Sequence, residues 1–205
     1  MTTCRTSTTT PISPRTSTSK PGPARAGSPA IGKAGAPRGP AFRVLGIDPG
    51  LASVGWGVVE GGARLRCVAY GHIATSPDLA LDRRLAVIRD GIASVLAEFE
   101  PEEGAMEALY FSKNVTSGLL VAEAKGVIRL ACGDSGLALV EYRPDELKKS
   151  LVGSARADKA DMQKFVALVL GLAEVPKPDH AADALAAAVC HCHARAVDPR
   201  LLRRI

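Results

Sequence analysis

Acidic residues are missing from the first part of this 205-residue chain, because no Asp or Glu precedes Asp48. Residues 1–41 hold six Arg or Lys side chains, so they carry about +6, whereas the whole chain has a net charge of +5. The remainder is therefore close to neutral, at about −1. The basic pI of about 9.1 reflects this one segment and is weak support for a nucleic-acid partner.

Long apolar runs are also lacking. The stretch at 165–172 is among the longest, and it is far shorter than the roughly 18 residues of a membrane span. We therefore expect a soluble protein. The five cysteines are odd in number and accompany no apolar signal segment. They predict no disulfide framework and favour a reducing compartment.

Residues 1–41 contain seven of the fourteen prolines and no aromatic residue, which predicts a disordered Pro/Ser/Thr/Gly-rich basic tail. It could be a plain tail or the product of a start codon chosen too far upstream. It could also be a flexible arm that tethers DNA, or an organelle transit peptide, since it is Arg-bearing and free of acid. We expect one folded domain over 42–196 and a basic C-terminal tail over 197–205.

Hydrophobic patterning in the folded part predicts three strands, one helix, and then alternating strands and helices. Short Gly-rich connections between the first strands indicate a meander. This mixed α/β pattern is compatible with an RNase H-like sheet but does not select it. The expected strands are 42–47, 54–59, 65–75, 105–109 and 137–142, and the expected helices are 85–99, 116–131, 145–151, 158–170 and 181–196.

Carboxylates occur at three positions next to predicted buried structure. Asp48 ends the first strand, between two glycines, although an Asp there could be an ordinary turn residue. Glu107 lies within a predicted strand, where a carboxylate is costly unless it is paired or metal-bound, or faces solvent on an edge strand. His180 and Asp183 share one face of a helix start, where acids also favour the helix dipole.

Together these residues could converge on a divalent-cation site. Oxygen ligands suit Mg²⁺ or Mn²⁺. Two such ions about 3.5–4 Å apart can activate water and stabilise the leaving oxygen in phosphodiester hydrolysis. The four residues are therefore compatible with metal-dependent phosphodiester hydrolysis.

From residue 43 to about 194, the chain resembles the RuvC family of Holliday-junction resolvases. The resemblance implies an RNase H-like α/β fold, with a central mixed five-stranded sheet (an antiparallel meander, then parallel strands) flanked by helices. The matching stretches are GIDPG at 46–50, MEALYFSKN at 106–114, VAEAKGV at 121–127, DK at 158–159 and HAADAL at 180–185.

The resemblance also implies a function: a homodimer that nicks two strands of like polarity in a four-way DNA junction, leaving 5′-phosphate ends, in recombination and DNA repair. It implies a RuvAB branch-migration partner, a bacterial cytoplasmic location, and two Mg²⁺ ions per site, with Mn²⁺ as the alternative. Organelle targeting by the tail is the less favoured location.

By the same resemblance, Asp48, Glu107 and Asp183 are the catalytic, metal-binding carboxylates. His180 stands where many relatives have a fourth Asp and some have His, so we include it in the metal set. Two further residues, Lys148 and Lys159, match family lysines near the scissile phosphate, although both could be ordinary surface lysines.

The residues after Glu107 are the candidate DNA contacts. Tyr110 matches a family aromatic that stacks on a base, and Phe111 is the ring that we expect to face the core. Phosphate or base contacts are expected from Ser112, Lys113 and Asn114. The helix around 121–128 is rich in small residues, and the family uses it at the dimer interface.

Other interpretations remain open or are excluded by simple features. The Cys190 to His193 cluster is not expected to bind zinc, because four consecutive helical side chains cannot enclose one ion. An actin-like ATPase would need a second domain and a longer chain. A catalytically silent junction-binding scaffold, or an RNase H-like nuclease acting on other branched substrates, stays as an alternative.

Overall fold

The computed structural model describes residues 5–8, 41–108, 115–153 and 158–197. Within these ranges, six strands form one sheet in the order β1-β4-β3-β2-β5-β6. The pairs β2–β3 and β3–β4 are antiparallel, and β2–β5, β5–β6 and β1–β4 are parallel. The strands are β1 (Arg5–Thr8), β2 (Phe42–Asp48), β3 (Ser53–Gly61), β4 (Arg66–Ala74), β5 (Glu103–Glu107) and β6 (Ala138–Tyr142).

Strands β2 to β6 confirm the expected five-stranded sheet, with an antiparallel meander followed by parallel strands. Strand β1 is additional, because the sequence predicts no regular structure over 1–41. It lies along the edge strand β4, where unpaired backbone groups can accept another strand. The rest of the 1–41 segment lies outside the described residues, as do 198–205 of the predicted C-terminal tail.

The helices follow the hydrophobic patterning closely. In α1, for example, Ile88, Ile92 and Val95 recur at helical spacing and are buried. Helices α3 and α4 end at glycines with positive φ, Gly153 and Gly171, which is the usual left-handed C-cap. The helices are α1 (Leu81–Phe99), α2 (Val115–Asp134), α3 (Pro144–Val152), α4 (Lys159–Leu170) and α5 (Asp179–Val197).

The sheet has an apolar cluster on each face. Alternate residues of a strand point to opposite faces, so Ile47 and Met106 join the cluster formed with α1 and α2. Val44 and Ala105 join the opposite cluster, which includes α5. By the same alternation Asp48 and Glu107 share a face with Val44 and Ala105, the face that α5 covers.

Helix α5 packs very closely on β2 and β3 because both strands present glycine to it. A Cβ atom at Gly46 would stand 1.9 Å from the carbonyl oxygen of Ala184, and one at Gly55 would stand 2.0 Å from that of His180. Small residues on the helix itself match these gaps, since most alanines of α5 are buried. This close approach brings the first turn of α5 to the end of β2.

No helix in the described ranges is long and apolar enough to cross a bilayer. Cys132, Cys190 and Cys192 are buried free thiols. Cys67 is disulfide-bonded. The sequence predicts no disulfide framework, and a bond at this residue is one that it did not anticipate.

Candidate active site

Asp48 and Glu107 end two neighbouring parallel strands. The register pairs Ile47 of β2 with Met106 of β5, so the next residue on each strand is one of the two carboxylates. Neighbouring strands lie about 4.8 Å apart, and both side chains point to the α5 face. Two residues that are 59 positions apart in sequence are thus adjacent at the carboxyl edge of the sheet.

The first turns of α5 add His180 to this edge. Its Nδ1 atom lies 2.6 Å from Oδ2 of Asp48, so the imidazole and the carboxylate share a hydrogen bond. That bond raises the pKa of His180, and partial burial opposes the rise. Since a protonated imidazole cannot ligate a metal, proton loss from His180 is linked to any cation that it would bind.

Burial and crowding of negative charge raise the pKa of Glu107 to about 7. Desolvation is the largest cause, and the carboxylates of Asp48 and Asp183 add to it. Burial also raises the pKa of Asp183, against the lowering effect of Lys159. The three carboxylates therefore interact electrostatically with one another, and each disfavours the ionised form of its neighbours.

Two lysines lie beside the carboxylates. Lys159, the first residue of α4, places Nζ 2.9 Å from Oδ2 of Asp183 and 3.5 Å from Oδ2 of Asp179. The hydrogen bond to Asp183 is the main cause that raises the pKa of Lys159, so the ammonium stays charged. Lys148, on α3, lines a cavity of about 190 Å³ together with Lys159, Glu107 and Asp183.

Two of the three carboxylates are engaged by neighbouring side chains. Among the described residues, no three His, Cys, Asp or Glu side chains are grouped as a ready metal site. Oδ2 of Asp48 is bonded to His180 and Oδ2 of Asp183 to Lys159. The donors are nevertheless hard oxygens and one imidazole, and the carboxylates repel one another, which fits Mg²⁺ or Mn²⁺ once side chains rotate away from these partners.

The predicted DNA contacts Tyr110, Phe111, Ser112, Lys113 and Asn114 all lie outside the described residues and stay predictions. The zinc-like cluster is placed on α5. Cys190 and Cys192 are buried there, and His191 forms hydrogen bonds to other side chains.

Sequence reasoning missed Lys125, which lies in the middle of α2. Its side chain is 9% exposed, and Nζ lies 2.7 Å from Oε2 of Glu141 on β6. The charge of Lys125 lowers the pKa of Glu107 and so offsets part of the crowding. A single Lys among small apolar residues in VAEAKGV was the available signal, because a buried lysine needs a partner.

The loop after Asp48 is fixed by a pair of residues that sequence reasoning also missed. Thr75 Oγ1 donates to the carbonyl oxygen of Leu51 at 2.6 Å, and Arg84 Nε donates to Thr75 Oγ1 at 2.9 Å. Thr75 is buried, so these bonds satisfy a hydroxyl that would otherwise be unpaired. Their effect is to anchor the turn that follows the first carboxylate.

Comparison with known proteins gives a consistent result. The family model described as crossover junction endodeoxyribonuclease RuvC matches residues 44–191. A protein of that name from Thermomicrobium roseum is 46% identical over 150 residues, which are 73% of this chain and 92% of that protein. The one from Treponema denticola is 46% identical over 147 residues, or 71% and 83%.

Solved structures agree with this match. Thermus thermophilus RuvC superimposes with a TM-score of 0.72 at 33% identity, covering 76% of this chain and 96% of that one. T. thermophilus RuvC in complex with a Holliday junction substrate gives a TM-score of 0.71 at 30% identity, with the same coverage. The yeast mitochondrial Holliday junction resolvase, at 13% identity and a TM-score of 0.58 over 76% of this chain and 79% of its own, supports the fold alone.

Proposed function

The chain belongs to the RuvC family of crossover junction endodeoxyribonucleases, and on that premise we propose that Asp48, Glu107 and Asp183 carry its resolution of four-way DNA junctions. One observation carries the assignment of these residues. The ends of β2 and β5 and the start of α5 bring the three carboxylates within electrostatic range of each other. Carboxylates crowded in this way repel one another, and a cation bound between them would relieve that repulsion.

Asp48, Glu107, His180 and Asp183 would hold divalent cations, Mg²⁺ or Mn²⁺, two to a site. A divalent cation held there would activate water for attack and would neutralise charge on the phosphate. Hydrolysis adds water to phosphorus and breaks the bond to the 3′ oxygen, which leaves a 5′-phosphate and a 3′-hydroxyl.

The two lysines are proposed to act on the phosphate directly. Lys148 and Lys159 line the same cavity as Glu107 and Asp183, so their ammonium groups can face a phosphodiester drawn toward the carboxylates. Negative charge grows on the non-bridging oxygens during attack, and a fixed cation stabilises it more than it stabilises the ground state. The same two positive charges would also offset the repulsion between the DNA phosphates and the carboxylates.

A homodimer is proposed because α2 exposes an apolar stripe. Leu119 and Leu130 are 55% and 60% exposed. Eleven residues complete about three turns, so the two leucines lie on one face of the helix. An isologous contact through α2 would bury them and set two sites on one junction. We also propose that the protein acts in the bacterial cytoplasm and that its partner is a RuvAB branch-migration complex.

The experiment is a cleavage assay on a mobile four-way junction labelled on each strand in turn, with Mg²⁺. The wild type should give paired, symmetrical nicks that ligase reseals. Asp48→Asn should bind the junction with unchanged affinity and not cut it. Asp90→Asn, an exposed carboxylate on α1, is the matched control and should cut normally.

Two outcomes would redirect the assignment. Junction binding by the wild type without nicks would mean a scaffold on this fold. Faster cutting of an RNA–DNA hybrid or of another branched duplex, assayed beside the junction, would mean a different RNase H-like nuclease.

A further inference from the structure

A chain of hydrogen-bonded polar side chains joins α5 to β5 and β6, and it reaches Glu103 at the end of β5 opposite Glu107. His191 on α5 is 1% exposed, and its two ring nitrogens each have a partner. Nε2 lies 2.8 Å from Oε2 of Glu103 on β5, and Nδ1 lies 2.8 Å from the hydroxyl of Tyr142 on β6. Arg195 pairs with the other oxygen of Glu103, and its guanidinium lies 3.6 Å from the centroid of the Phe42 ring.

The protons in this chain can be assigned from its chemistry. Burial raises the pKa of the Tyr142 phenol, so the hydroxyl keeps its proton and can donate to Nδ1 of His191. The Nε2–H group of His191 then donates to the carboxylate of Glu103. Both ring nitrogens of His191, the hydroxyl of Tyr142 and both carboxylate oxygens of Glu103 have partners, which is the condition under which a buried network fixes one arrangement.

The distance from the polar chain to the carboxylate site is similar along β5 and along α5. Glu103 and Glu107 lie four residues apart on the same face of β5, a distance of about 13 Å. His191 and Asp183 lie eight residues apart on α5, a distance of about 12 Å. Helix and strand therefore meet twice, once at Glu103 and His191 and once near Glu107 and Asp183.

Tyr142 adds a direct connection to the site. It is the register partner of Glu107, and its carbonyl oxygen accepts a hydrogen bond of 2.8 Å from the backbone N–H of Ala108. Tyr142 therefore contacts His191 through its hydroxyl and the end of β5 through its backbone.

We propose that Glu103, His191 and Tyr142 are positioning residues for the nuclease reaction, which hold α5 on β5 and β6 and so fix Asp183 relative to Glu107. The carboxylate end of the helix–strand contact is repulsive until a cation is bound, and the Glu103–His191 end is attractive. The Glu103–His191 contact therefore opposes the separation of α5 from β5 that repulsion between the carboxylates favours. This inference rests on the proposed function.

The test compares three substitutions in the polar chain with one core substitution elsewhere. Tyr142→Phe removes one hydroxyl, and Glu103→Leu removes the carboxylate, whereas Glu103→Gln keeps a hydrogen-bonding group. Ile92→Val, in the core under α1, is the control for lost stability alone. Each protein is measured well below its Tm for junction affinity, for single-turnover cleavage rate, and for Mn²⁺ affinity without DNA.

Glu103→Leu and Tyr142→Phe should cleave at least about tenfold more slowly, because misplacement by about 1 Å can cost on the order of 100-fold. Their junction affinity should not change, and their Mn²⁺ affinity should fall. Glu103→Gln should recover most of both losses, and Ile92→Val should show neither.

The proposal is overturned if both folded variants keep wild-type cleavage rates and Mn²⁺ affinity. A variant that fails to fold leaves the other one to decide. If instead the wild type itself cuts no junction, the proposed function fails, and Mn²⁺ affinity still reports whether the polar chain shapes the carboxylate site.

Discussion

His180 and Asp48 are joined by a hydrogen bond of 2.6 Å between Nδ1 and Oδ2, although 132 residues separate them in sequence. The bond stabilises the imidazolium form and so raises the pKa of His180. Glu107 nearby also holds a proton more tightly than usual, with a pKa of about 7. A cation that binds these residues must displace protons from both, so metal binding and pH are linked.

The Mg²⁺ concentration needed for half-maximal cleavage should therefore rise as the pH falls from about 8 to about 6. Protons and Mg²⁺ compete for Glu107 and His180 over this range. Single-turnover rates over a Mg²⁺ series at each pH measure the effect. A Mg²⁺ requirement that stays constant with pH would contradict the proposed linkage.

Glu107→Gln should stabilise the metal-free protein, and more so at high pH. The pKa of Glu107 is about 7 in the fold against an ordinary 4.5, so between these values the folded state binds the extra proton. Stability of the wild type is then fully present below this window and is lost as pH rises through it. Gln mimics the protonated form and avoids that loss.

The Tm difference between Glu107→Gln and wild type, in the presence of a chelator, should be small at pH 5 and positive at pH 8. Glu102→Gln, an exposed neighbour before β5, should show no such trend. Added Mg²⁺ should raise the Tm of the wild type more than that of Glu107→Gln. A Tm difference that falls with pH would show that the ionised form of Glu107 does not destabilise the metal-free protein.

Metal preference is expected to depend on His180. A nitrogen ligand favours Mn²⁺ over Mg²⁺ relative to an all-oxygen set. The ratio of cleavage rates with Mn²⁺ and Mg²⁺ should exceed one in the wild type and fall in His180→Asp. Equal or better cleavage by the wild type with Mg²⁺ would count against a role for the imidazole in selecting the cation.

Lys159→Ala should lower the cleavage rate by about 100-fold or more, the effect typical of removing one group that stabilises transition-state charge. Lys164→Ala is the matched control, because Lys164 is an exposed lysine on the same helix. Single-turnover rates and junction affinities of both variants separate catalysis from general attraction to DNA. Similar, modest losses in the two variants would mean that Lys159 acts only as one more surface charge.

Gly46→Ala should destabilise the fold by at least about 1–3 kcal/mol, because the added methyl overlaps the backbone of α5 at Ala184. Gly133→Ala, in α2, meets no atom within 4 Å and should instead stabilise by about 0.5–1 kcal/mol. Urea unfolding of the two variants measures both effects. Equal stabilities would show that α5 can lift from β2 without loss.

The order of elements could be predicted because their sequence patterns are local. The amphipathic spacing of α1 and the apolar strand before Asp48 need no tertiary information. Strand β5 shows the limit, since the sequence predicts 105–109 and the structure has Glu103–Glu107. A strand that begins with a buried Glu is recognisable only when its partners, His191 and Arg195, are in place.

The candidate site was predictable in its residues but not in its surroundings. Asp48, Glu107 and Asp183 stand in motifs, so each could be chosen from the sequence. The pairing of Lys125 with Glu141, and the bonds from Arg84 through Thr75 to the loop, depend on three-dimensional neighbours that no short motif encodes. The need for glycine in β2 and β3 follows only from the close packing of α5 against these strands.

The parallel pairing of β2 and β5 divides the site into a stiff half and an adjustable half. Asp48 and Glu107 are fixed by a backbone ladder in the middle of the sheet, so their separation is the same whatever approaches them. Asp183 is held by α5, which rests on β2 and β3, whereas Lys148 and Lys159 stand on α3 and α4, whose apolar residues pack in the cluster on the α5 side of the sheet. A distorted DNA strand would therefore be accommodated by small movements of α3 and α4, with the two strand carboxylates as the fixed reference point.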